Sequence, residues 1–301
     1  VLTMTDTEPF AGVYPAMITP FHEDGQIDHQ ALREEARRLA DGGVAGLVPA
    51  GSTGEAATLT HDEHVEVVET VVDAVDVPVI AGAGSNSTRE AVSLSERAEA
   101  AGADALLHLS PYYNKPEPDG MEAHYRAIAE AVDVDVIVYN VPSRTGRNVA
   151  LETVEALASV ENVTGYKAAS GDMGRISEVI ERTRDEEFAV LSGDDGMTWP
   201  VVATGGTGTI SVSANVFPEP HVELVDAALA GDVERARDLH HDLAPLFRGM
   251  FVETNPIPVK EAVHLVHGRA PDLRPPLSRI RDENRGELEA VLESYRETAT
   301  T

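Results

Sequence analysis

Cysteine is absent from this 301-residue chain. That excludes disulfides, thiolate nucleophiles and cysteine-ligated metals. No apolar run reaches the roughly 18 residues that a membrane-spanning helix needs. The first ten residues, Val1–Phe10, are polar and hold nothing like the apolar segment of a secretory signal; Met4 is the expected start, with Val1–Thr3 ahead of it. A soluble, cytoplasmic protein is expected. Basic residues are also scarce, with 23 Lys plus Arg against 52 Asp plus Glu and a formal net charge of −29. Such a surface repels nucleic acid and anionic membranes, so neither is expected as a partner. The acids are spread along the whole chain and not gathered in a tail, which fits adaptation to high salt better than capture of a basic partner. Thermal melts and sedimentation across a salt series should show folding and assembly strengthening with salt; equal stability at low and molar salt would refute the idea. Only three of the basic residues are lysines, Lys115, Lys167 and Lys260. A chain that avoids lysine invites a specific role for each.

Hydrophobic residues make up 42% of the chain, enough for a sizeable core. Short aliphatic runs alternate with longer amphipathic stretches. The runs are 13–18, 46–50, 79–81, 105–109, 136–139, 163–167, 189–191 and 209–212, and helix-like segments at 30–41, 61–75, 88–101, 120–131, 151–159 and 173–183 lie between them. The strand-to-strand step is about 30 residues, as a (β/α)8 TIM barrel of roughly 250 residues requires. An open doubly wound sheet shares the alternation, but eight regular units without a break favour closure. Four further helical segments, 221–230, 233–251, 257–267 and 285–298, exceed what a barrel needs. The expected organisation is therefore a catalytic barrel over 1–229 and a C-terminal helical appendage over 230–301.

In a barrel the active site lies at the C-terminal ends of the strands. Read in order, those ends carry Thr19, the Gly51–Glu55 loop, Gly82–Asn86, Ser110–Asn114, Tyr139–Gly146, Lys167, Ser192–Asp195 and Ser213–Asn215. Lys167 ends an apolar run and should point into the barrel mouth. There desolvation would free its amine for attack on a carbonyl; the bland alternative is a strand-end lysine reaching solvent. Arg144, in a Pro-Ser-Arg-Thr-Gly turn, offers a planar fork for a carboxylate, or else a surface salt bridge. Tyr113 and Tyr139 can pass protons, with Ser52 and Thr53 as linking hydroxyls, although a single tyrosine more often packs.

Three other patterns are weaker. His61 and His64 stand at zinc-like spacing but without a third ligand, and read better as solvent-facing polar residues at a helix start. Asp194-Asp195 reads as a turn-forming pair before it reads as a magnesium site. Gly205–Gly208 resembles a phosphate loop but precedes its strand, on the wrong face of a barrel. No metal or cofactor is expected, and the substrate should carry a carboxylate and no phosphate.

Taken together, GSTGEAATLTHDEH, SPYYNKP, YNVPSRTG, SGDD, GGTGTISVSAN and NPIPVK resemble the dihydrodipicolinate synthase/N-acetylneuraminate lyase family of pyruvate-dependent barrel lyases, over about residues 10–280. The resemblance implies a class I enzyme in which Lys167 forms a Schiff base with pyruvate and Tyr139 moves protons. It further implies that Ser52 and Tyr113 complete a proton relay, Tyr113 entering a neighbouring subunit's site. Thr53 and the backbone of Ile210 would hold pyruvate, and Arg144 the carboxylate of a small aldehyde. YNVPSRTG and NPIPVK look like the branch that condenses pyruvate with L-aspartate 4-semialdehyde on the route to diaminopimelate and lysine. Ser52, where that branch more often has threonine, and Ala168, where an acid is usual, keep a sugar-acid aldolase of the 2-keto-3-deoxygluconate type as the second reading. A non-catalytic metabolite-binding barrel is the third. The family implies a homotetramer of tight dimers. It also implies an L-lysine effector site at the dimer interface, which maps to Ala57, His61, His64, Asn86, Glu90 and Tyr112.

Overall fold

The computed structural model describes residues 10–299. The polar start, with its expected lack of a leader, lies outside the described residues but for Phe10. Seven parallel strands form one sheet: β1 Gly12–Pro15, β2 Ile80–Gly82, β3 Ala105–Leu109, β4 Asp135–Asn140, β5 Val163–Ala168, β6 Ala189–Ser192 and β7 Gly208–Ser211. Their order is β1-β7-β6-β5-β4-β3-β2. The helices that follow β1 to β4 are α1 His29–Asp41, α2 His61–Val72, α3 Thr88–Ala100, α4 Pro118–Ala129, the single turn α5 Pro142–Thr145 and α6 Leu151–Ala158. After β5 come α7 Met173–Thr183, α8 Thr198–Ala203, α9 Pro218–Leu229, α10 Val233–Gly249, α11 Ile257–His267 and α12 Asp282–Ala299. Several helix starts are fixed by their own caps. Asp28, Asp172 and Asp232 accept from backbone N–H groups, and Thr60 with Glu63 makes a reciprocal capping box that opens α2.

The expected second strand, 46–50, is not a regular strand. It still pairs on both sides, through parallel bridges Ala16–Val48 and Leu47–Val79. Val48 N–H donates to the Pro15 carbonyl at 2.9 Å, and Leu47 N–H to that of Pro78 at 2.8 Å. Pro49 has no N–H to continue the ladder, and Ala50 turns the chain at φ 54°. That chemistry, not a lack of apolar character, shortens the strand.

Period-two alternation sorts the strand residues into two layers. Tyr14, Ala16, Ile80, Leu107, Ile137, Tyr139, Leu191 and Ile210 pack together inside the curl of the sheet. Val13, Ala81, Leu106, Val136, Val138, Tyr166, Ala168 and Val190 face the surrounding helices. Gly12 and Gly208 are register partners, and a Cβ on Gly208 would fall 2.0 Å from the Gly12 carbonyl oxygen. The glycine-rich run before β7 thus serves close strand packing at this position. A third apolar cluster joins Ile18, Val212, Val216 and Leu224 to residues of α10, α11 and α12. The C-terminal helices therefore share a core with the sheet's last units. Among the described residues no helix is long and apolar enough to cross a membrane.

Candidate active site

Tyr166 and Ala168 face the helices, so Lys167 between them faces the interior, beside its register partner Tyr139 on β4. Its Nζ stands 4.3 Å from the centre of the Tyr139 ring. Both line a cavity of about 1040 Å³, together with Ser52, Thr53, Arg144 and Asp194. Burial pushes the Lys167 amine from 10.5 down to about 7; Asp195 pulls it up, and Arg144 pushes it further down. A substantial share of the amine is then unprotonated at neutral pH, the state a nucleophile needs. Burial acts oppositely on the neighbouring phenol and raises Tyr139 to about 12, against the Arg144 charge and a hydrogen bond with Ser52. Tyr139 keeps its proton at neutral pH and can lend it to a developing oxyanion.

Thr53 and Arg144 are tied together by Asn255, which precedes α11. Asn255 Nδ2 donates to Thr53 Oγ1 at 3.0 Å, and the Asn255 carbonyl accepts from Arg144 Nη2 at 2.8 Å. Asn255 Oδ1 is buried without a partner. The C-terminal segment therefore reaches the site. The sequence signal was NPIPVK itself, which opens with this asparagine.

The Ser52–Thr53 loop is held in an uncommon shape. Ala50 and Glu55, on either side of it, sit at φ 54° and 57° without being glycine. Thr19 Oγ1 donates to the Gly54 carbonyl at 2.7 Å. Glu55 forms a fully buried ion pair with Lys260, whose Nζ also donates to the Asp272 carbonyl at 2.7 Å. Lys260 is thus a structural lysine, and Lys115 is exposed, its stem lying over Gly146.

Ile210 is fully buried in the inner core of β7. Tyr113 is 88% exposed, at φ 62°, and does not line this cavity. Ala57, His61, His64, Glu90 and Tyr112 line the same cavity, whereas Asn86 does not. Glu90 accepts from Ser85 Oγ at 2.8 Å. The expectation that His61 and His64 both face solvent holds only for His61. His64 is buried against the Gly82 carbonyl, because it stands on the same face of α2 as the buried Val67, Val68 and Val71. Asp195 also departs from a turn acid, being buried and hydrogen-bonded across to β7's end.

A family model for the dihydrodipicolinate synthetase family matches residues 9–295. The chain belongs to that family. A 4-hydroxy-tetrahydrodipicolinate synthase of Haloarcula marismortui is 64% identical over 94% of this chain and 93% of its own length. One from Natronomonas pharaonis is 62% identical over 95% and 97%. Among solved family structures, the chloride-inhibited dihydrodipicolinate synthase of Acinetobacter baumannii, complexed with pyruvate, is 38% identical, with a TM-score of 0.93 over 96% of this chain and 99% of that one. The enzyme of Cyanidioschyzon merolae with lysine bound is 36% identical, with a TM-score of 0.91 over the same shares.

Proposed function

We propose that this enzyme condenses pyruvate with L-aspartate 4-semialdehyde to 4-hydroxy-tetrahydrodipicolinate, in lysine and diaminopimelate biosynthesis, through an imine on Lys167. The observation that carries the mechanism is a buried, partly neutral lysine stacked on Tyr139 in the cavity that also holds Arg144. The Lys167 amine attacks the keto carbon, a C–N bond forms, and the oxygen leaves as water after taking up protons. The resulting iminium loses a proton from the methyl carbon to give an enamine. That carbon bonds to the aldehyde carbon, whose oxygen takes a proton; Tyr139 is the donor within reach. The aldehyde partner's own amino group then attacks the iminium carbon, closing the ring and releasing Lys167. Thr53 and the backbone of Ile210 hold pyruvate, and Arg144 takes the second substrate's carboxylate in a bidentate pair.

Borohydride added with pyruvate should fix one adduct on Lys167, read by peptide mass, and Lys167→Ala should be inactive. An adduct on Lys115 or Lys260 would sink the mechanism. Arg144→Ala should lower kcat/KM for aspartate semialdehyde by roughly 30- to several-thousand-fold, the equivalent of about 2–5 kcal/mol. A preference for glyceraldehyde over aspartate semialdehyde would replace this function with sugar-acid cleavage.

The same reading extends to assembly. Segment 46–50 is the eighth stave that closes the sheet into a (β/α)8 barrel over residues 1–229, with 230–301 as its helical appendage. The exposed Tyr113 completes the Ser52 relay in a neighbouring subunit of a cytoplasmic tetramer. L-lysine binds between subunits at Ala57, His61, His64, Asn86, Glu90 and Tyr112, with Glu90 facing its ammonium group. Titrating L-lysine at working salt against wild type and Glu90→Ala checks this: inhibition should appear at millimolar lysine and weaken in the variant. Equal inhibition of both would remove Glu90 from the site.

A further inference from the structure

The mechanism makes two opposed demands on one nitrogen. Lys167 must be neutral to attack the keto carbon. Once bonded, the same nitrogen must be cationic, because the iminium is the electron sink that lets the methyl carbon lose its proton. Burial serves the first demand and opposes the second, since an unpaired cation is costly in an apolar site. The keto acid's own carboxylate offsets part of that cost, and a protein carboxylate near the nitrogen but outside the substrate cavity would offset more.

Asp195 meets that description. It is 2% exposed and absent from the cavity lining, whereas its neighbour Asp194 faces the cavity. Its Oδ2 collects three donors: the Val212 N–H at 3.2 Å, the Ser213 N–H at 2.8 Å and the Ser213 hydroxyl at 2.7 Å. Behind Ser213, the hydroxyl stands 2.6 Å from His221 Nε2, and His221 Nδ1 lies 2.7 Å from the Phe217 carbonyl. A carbonyl only accepts, so Nδ1 carries a proton; Nε2 of the neutral ring then accepts, and the single Ser213 hydroxyl proton is shared between His221 Nε2 and Asp195 Oδ2. The turn bearing Asp195 is also stitched to the lysine. Gly193 N–H donates to the Ala168 carbonyl at 2.7 Å, and Gly193 has no side chain where the Lys167 stem passes.

Resting on the imine mechanism above, we propose that Asp195 is a positioning residue, clamped by Ser213 and His221 behind Lys167, which keeps the lysine nitrogen cationic after it bonds to the keto acid. The charged and titratable groups around this arrangement are few. Lys167 faces Asp195 from the β6–β7 turn, Arg144 from α5 and the Tyr139 phenol from β4. Asp195 faces Lys167, Asp194 and His221, and His221 in turn feels Glu219. Asp195 is the carboxylate whose field opposes burial at Lys167, so its removal has a defined sign. The free amine should titrate lower, and the cationic imine should lose its proton at lower pH.

The test uses Asp195→Asn, Ser213→Ala and Ser213→Thr with the full chain. Reductive methylation of Lys167 without substrate, followed by peptide mass across pH, reads the free amine. In Asp195→Asn its midpoint should fall by roughly one unit. The kcat should drop about 10- to 100-fold, its alkaline limb moving to lower pH, while KM for pyruvate moves less than about threefold. Ser213→Ala should follow the same direction at about 3- to 10-fold, and Ser213→Thr, which retains the hydroxyl, should restore it. These Ser213 variants carry the test if Asp195→Asn does not fold. Variants that lose thermal stability but keep wild-type midpoints and pH limbs overturn the proposal while leaving the imine intact. Failure to trap pyruvate on Lys167 in the wild type overturns the imine mechanism, and this role with it.

Discussion

Lys260→Met should destabilise the fold by about 3–5 kcal/mol, because it leaves a carboxylate buried without its counter-ion. Lys260 and Glu55 are both fully inaccessible at their side chains. The Lys260 ammonium lies 4.3 Å over the Phe21 ring, and Glu55 Oε2 accepts the Arg274 N–H at 3.0 Å. Burial pushes Lys260 down to about 8, against the pull of Glu55, so it remains charged at neutral pH and the pair stands. Glu55 sits in the left-handed region immediately after the Ser52–Thr53 loop, so the loss should extend to activity even where the protein remains folded. Adding Glu55→Gln to Lys260→Met removes the stranded charge and keeps an acceptor for Arg274. It should recover more than half of the loss. Urea melts of the single and double variants decide the matter. A single variant within about 1 kcal/mol of wild type would show that the pair contributes little net stability.

Gly193→Ala should lower kcat/KM by about 100-fold or more with only a modest change in melting behaviour, because it displaces Lys167, the proposed nucleophile, by a fraction of an ångström to an ångström. A Cβ at Gly193 would stand 2.9 Å from Lys167 Cε, 3.0 Å from Lys167 Cγ and 3.0 Å from Ala169 Cβ. Either the lysine stem swings away from Tyr139 or β5 and the turn separate. Gly196→Ala, three residues on, is the control. Its Cβ would meet nothing closer than Asp194 Oδ1 at 3.4 Å, so activity should stay near wild type. Borohydride trapping adds a direct readout, since adduct formation on Lys167 should slow in Gly193→Ala alone. Equal rates for the two variants would mean that the stem tolerates the methyl group.

The inward placement of Lys167 was legible in the sequence for a physical reason. A strand has period two, so an apolar run ending in Tyr-Lys-Ala fixes which face each side chain takes, and the barrel pattern fixes which end carries chemistry. The near-absence of lysine then made Lys167 conspicuous. The same logic reached Tyr139, Ser52, Thr53 and Arg144, all at strand ends, and the cavity collects them. It did not reach Asn255, Glu55 as the partner of Lys260, or the Asp195–Ser213–His221 clamp. Those depend on contacts between residues as far as 205 positions apart, which no local periodicity encodes.

Two local readings gave way. Pro49 and the left-handed Ala50 interrupt an apolar run that reads as a strand. His64 shares the buried face of α2 with Val67, Val68 and Val71, where the acidic helix start alone would leave it in solvent. What the sequence determined by itself was the alternation of strands and helices, the acidic surface, and the side chains offered at the strand ends. What only the tertiary structure decided was the electrostatic state of those side chains, because burial and distant charges set them. An amine near 7 beside a phenol near 12 exists only when Arg144, Asp195 and the apolar interior converge on Lys167 and Tyr139.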